Sequence, residues 1–121
     1  MGDHHPVIGR VAIVVAAELD LTADVDPRAP GGEVTVALCG HWDHEGACRW
    51  PHNTAIDSDA SPAHVRTVVV MPESERDDVV GRVERALRAD PRWTVVQFAT
   101  EPLADADRAL AARLAQGPAL P

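Results

Sequence analysis

Apolar and polar positions alternate from Arg10 to Leu21, with Val11, Ile13, Val15, Ala17, Leu19 and Leu21 on one face. A period of two predicts a strand, and the apolar run Val11 to Ala17 predicts that its first half is buried on both sides. Glu33 to Cys39 alternates in the same way through Val34, Val36 and Leu38, which predicts a second strand. Between them Pro27, Pro30 and Gly31-Gly32 predict a loop, so these two strands are expected to pair as a long-looped antiparallel hairpin. Val65 to Met71 and Trp93 to Ala99 are β-branched or aromatic runs and predict two more strands. Between those, Val79, Val83, Ala86 and Leu87 recur at helical spacing, with Pro72 before and Pro91 after. A last helix is expected from Thr100-Glu101-Pro102 to Gly117, with Leu103, Ala106, Leu110 and Leu114 on one face.

The predicted order is strand, strand, loop, strand, helix, strand, helix. The fold class this implies is α+β: a two-layer sandwich, a four-stranded mixed sheet with two helices on one face. That order is related to the ferredoxin-like one without being identical to it. A flexible tail over 1–8 and a single domain over 9–117 are expected, with a Cys/His-rich insertion loop at 39–64. If that loop leaves the second sheet face bare, an exposed face of Val and Ala implies a protein partner or a homodimer.

Composition narrows the function classes. The chain has 121 residues and a formal charge of −8, with eleven basic residues, all Arg. An acidic chain without a basic cluster lacks the concentrated positive charge that binds nucleic acid or anionic lipid. The longest apolar run ends at Glu18, far short of a membrane span, and Met-Gly-Asp-His-His-Pro lacks the charged region of a signal peptide. A cytoplasmic protein with reduced cysteines is therefore expected.

The chemistry concentrates in Cys39-Gly-His-Trp-Asp-His-Glu-Gly-Ala-Cys-Arg-Trp-Pro-His52, which holds both cysteines and three of the six histidines. Thiolate and imidazole donors together suit Zn2+, which takes four in a tetrahedron. The expected ligands are Cys39, His41 or His44, Cys48 and His52, with Asp43 as a further ligand or as the partner that orients a histidine. Cu(I) and Fe(II) accept the same donors. The favoured reading is a zinc protein whose ion orders the loop into a partner-binding surface. A metal-dependent hydrolase or lyase with Asp43 or Glu45 as base is the second. A metal-free structural or interaction module is the third. A reactive thiol paired with His41, His44 or His52 is a further chemistry of the same stretch. Arg49, at the end of the stretch, and Arg66, beyond it, could clamp a substrate, and His64 has no evident role.

The stretch Cys39-Gly-His41-Trp-Asp43-His44-Glu-Gly46 resembles the His-x-His-x-Asp-His-x-Gly segment of the metallo-β-lactamase superfamily, with Cys39 in place of the first His. The resemblance implies His41 as ligand of a first zinc ion, and Asp43 and His44 as ligands of a second. It covers residues 39–46 alone and is a likeness of local chemistry.

Overall fold

The computed structural model describes residues 10–39 and 49–116. It is α+β, with a four-stranded sheet as expected, in the order β2-β3-β1-β4. The strands are β1 (Arg10–Leu21), β2 (His52–Asp57), β3 (Ala63–Pro72) and β4 (Trp93–Glu101). The helices are α1 (Ala29–Cys39), α2 (Arg76–Ala89) and α3 (Arg108–Gln116). Every strand pairing is antiparallel rather than mixed. Up to β4 the chain runs βαββαβ, with β1 inserted between β3 and β4, which is the ferredoxin-like arrangement with α3 appended.

Two elements depart from the periodicity reading. Residues 33–39 belong to α1, not to a strand, because the repeat that decides is Pro30, Val34, Leu38, all buried along one helix face. Pro30 sits in the first turn, where a missing N–H costs nothing. Gly31 lets the helix come close to β2, since a β-carbon there would lie 3.4 Å from Ile56 Cδ1. The second departure is β2, six residues inside the stretch expected to be irregular, whose His52, Thr54 and Ile56 turn inward. β2 closes the sheet by pairing along β3 from His52↔Val69 to Asp57↔His64.

β1 is a central strand, and over Val11–Ala17 both of its faces are apolar, so each face of that half needs a cover. Its odd positions Ile13, Val15, Ala17 and Leu19 meet Val34 and Leu38 of α1 and Val79, Val83 and Leu87 of α2 in the main core. Its even position Val14 joins Val68 and Ala111 in a second, smaller core, with Leu103, Leu110 and Leu114 packed against it. α3 therefore lies on the opposite face from α1 and α2, and it covers only part of that face. In β4 a bulge at Val96 lets Val95 and Phe98, three residues apart, both face the main core.

Trp93, 4% exposed, ties α2 to the sheet by donating from Nε1 to the Leu87 carbonyl at 2.8 Å. Arg92 beside it joins Asp90 at 2.7 Å and Glu33 of α1 at 3.0 Å.

The start of α3 is fixed by one carboxylate. Asp107 receives both Arg66 terminal nitrogens, at 3.1 and 3.0 Å, and its Oδ2 also accepts from the Ala104 backbone N–H at 2.8 Å. The Arg66 hydrogen bonds first, and the Ala104 N–H second, hold the Asp107 carboxyl below the usual carboxylate range. A carboxyl whose folded pKa is depressed stabilises the fold above its unfolded pKa and loses that contribution as pH falls through the folded value. Replacing Asp107 by Asn is thus expected to lower the urea midpoint at neutral pH and to flatten the acid limb of a midpoint-against-pH curve. A curve superimposable on that of the parent would contradict the assignment.

Candidate functional site

The structure corrects the metal reading. Among the described residues no group of three or more His, Cys, Asp or Glu side chains is placed to hold a metal ion. Of the expected ligands, His41, Asp43, His44 and Cys48 lie outside the described residues, as do Glu45 and the greater part of the stretch likened to metallo-β-lactamases. The two that are described serve other purposes. Cys39 closes α1 and is disulfide-bonded, so its sulfur is not the thiolate that zinc, Cu(I) or Fe(II) would need. His52 opens β2 with Nδ1 3.0 Å from the Trp50 carbonyl. A carbonyl only accepts, so this nitrogen carries the proton. Nε2 lies 3.5 Å from Thr35 Oγ1 of α1. The ring thus ties β2 to α1 instead of presenting a free nitrogen to an ion.

Trp50 is an anchor. It is 2% exposed and belongs to the main core. Its Nε1 donates to Glu75 Oε1 at 2.8 Å, and the guanidinium carbons of Arg49 and Arg82 stand 4.6 and 5.0 Å from its ring centre. Arg49 reaches Glu75 Oε2 at 3.1 Å, so it is committed here rather than free to clamp a substrate. The Trp50 and then the Arg49 hydrogen bonds lower the Glu75 pKa. Pro51 O accepts from Val70 N at 2.9 Å, which leads the chain from Trp50 straight into β2.

The groups left open to solvent converge elsewhere, on the part of the second sheet face that α3 leaves uncovered. Strand register sets a row of side chains straight across it: Asp57 of β2, His64 of β3, Glu18 of β1 and Gln97 of β4. The next row is Ala55, Arg66, Ala16 and Ala99. Three alanines leave a low floor, and Arg66 leans off it toward Asp107 and Glu101. The result is a shallow depression of about 250 Å3 over Ala16 and Ala99, walled by His64, Glu18 and Gln97 on one side and by Arg66 and Glu101 on the other.

Its electrostatics are uneven. The Arg66 charge is matched by Asp107 in a two-bond pair, with Glu101 a further 3.9 Å contact. Glu18 stands 4.0 Å from His64, an ion pair only when the imidazole is protonated. Glu18 and Glu101 thus border the depression with side chains 33% and 50% exposed, Glu18 beside His64 and Glu101 beside Arg66.

Periodicity did not reveal this site. Glu18 reads as the residue that ends an apolar run, and His64 as an isolated side chain. The available signal was the even face of β1, where Ala12, Val14 and Ala16 give way to Glu18 and Asp20.

The chain matches no protein-family model and no curated protein.

Truncating Trp50 to Ala removes a buried indole and is expected to cost about 3–5 kcal/mol in a denaturant titration. Trp50→Phe keeps most of the volume and loses the Glu75 bond, so it should fall between the parent and the Ala variant. Equal loss from both variants would mean that the hydrogen bond, and not the packing, holds this junction.

Proposed function

We propose that the protein is a binding domain for a small cationic molecule, one carrying a protonated amine or guanidinium, taken up on the open part of the second sheet face. The observation that carries this reading is the pairing of a low alanine floor with two partly exposed carboxylates, Glu18 and Glu101, whose cationic neighbours lie no nearer than 3.9 Å. The nearby guanidinium of Arg66 gives its two hydrogen bonds to Asp107 and meets Glu101 only at 3.9 Å. Gln97 adds an amide that can accept from a ligand N–H. The rigid support comes from three adjacent strands rather than from loops, which favours a preformed site.

An open depression supports modest affinity, on the order of 0.1–1 mM, or about 4–5.5 kcal/mol. The attraction should weaken with salt, since both carboxylates are partly exposed. No described helix is long and apolar enough to cross a membrane.

Agmatine, with an amine at one end and a guanidinium at the other, is a suitable probe. Calorimetric titration of the full chain is expected to show binding that Glu18→Gln weakens by about tenfold, equivalent to about 1.4 kcal/mol. Glu18→Gln with Glu101→Gln should abolish it, and succinate should not bind to the parent. Absence of heat at millimolar agmatine, or equal binding by the double variant, would overturn the proposal.

A further inference from the structure

β4 forms one edge of the sheet: it pairs with β1, and among the described residues no strand pairs with its other side. An edge of this length exposes backbone N–H and C=O groups that template pairing with another strand. Proteins usually block such edges with charged side chains or proline. Between Trp93 and Thr100 the sequence is Trp-Thr-Val-Val-Gln-Phe-Ala-Thr, with no charge and no proline, in a chain whose charged fraction is 25%. The bulge at Val96 interrupts the strand once, and beyond it Gln97–Glu101 pairs regularly only up to Val14↔Glu101 on the β1 side. Val96 itself is 56% exposed, and it is the exposed large hydrophobic residue among those described. The other edge, β2, is six residues long, touches α1 and ends at Asp57.

We propose that two copies of this chain dimerise by antiparallel pairing of β4 with β4, joining both sheets into one. The occupant follows from charge. Two copies at −8 repel over most of their surfaces, so close approach needs an uncharged contact, and the β4 edge supplies one on each copy. A two-fold axis makes the contact self-complementary, because each strand gives the other the same neutral run. Pairing of the whole neutral run, centred between Val96 and Gln97, sets Trp93 of one copy opposite Thr100 of the other. It puts Glu101, the one charged residue of the strand, at the two ends of the contact, opposite Arg92 of the other copy and away from its own like charge. The dimer buries Val96, and it places the two open sheet faces side by side.

Sedimentation velocity with light scattering on the full chain tests this. A concentration-dependent rise from 12.9 kDa to twice that mass is expected. Val96→Glu with Thr100→Glu puts like charges along the edge, and should return the protein to a monomer that still unfolds cooperatively, at a melt lowered by the loss of association. If that pair of changes prevents folding, Thr100→Glu alone, at an exposed position, is measured in its place. Mixing the Glu variant with a Val96→Lys, Thr100→Lys variant should restore a dimer containing both. A parent that stays monomeric at every concentration, or a dimer that survives the Glu substitutions, would overturn the proposal.

Discussion

A strand that is apolar on both faces has two faces to bury, and the first half of β1, Val11–Ala17, is such a strand. Its odd positions build the core under α1 and α2, and its even positions require a second cover. α3 meets that requirement only as far as its own length allows, over Val14, Val68 and their neighbours. Beyond it the even face changes from Val and Ala to Glu18 and Asp20, which tolerate water. The open part of the second face thus follows from how far α3 reaches, and the candidate site is what remains at the boundary.

The same boundary explains why one ion pair matters more than the others. Most arginine–carboxylate pairs here are local and exposed, such as Arg82–Asp78 and Arg88–Glu84 along α2, and pairs of that kind contribute little. Arg66–Asp107 is different. It spans from β3 to the turn before α3, uses two hydrogen bonds, and has its carboxylate almost fully covered. It sets where α3 begins, and it also supplies the main counter-charge of the guanidinium that walls the depression beside it. A structural clamp and the charge balance of the site therefore rest on the same two side chains.

How much was legible in the sequence varied with the number of apolar residues an element offers. β1 was legible over its whole length, because alternation and a β-branched run agree. α2, β3 and β4 were placed to within a few residues at their ends. α1 was not, since Val34 and Leu38 satisfy both a period of two and a spacing of four, and the Gly pair argued against a helix that tertiary packing nonetheless favours. β2 offers one large aliphatic residue, Ile56, so its pattern was too faint to distinguish from a loop. The Cys/His cluster drew attention because its residue types suit metal chemistry, but His52 bonds to Trp50 and Cys39 is in a disulfide. Asp57, His64, Glu18 and Gln97 are scattered over four strands, and only register brings them into one row.

The central claim is that the uncovered sheet face is where this protein binds its ligand. Backbone amide shift mapping of the labelled full chain during an agmatine titration addresses it most directly. The account predicts saturable shifts confined to Ala16, Glu18, His64, Arg66, Gln97, Ala99 and Glu101, with the α1 and α2 amides unmoved. Shifts centred on the Trp50–Glu75 junction or on α1, or none at saturating agmatine, would contradict it.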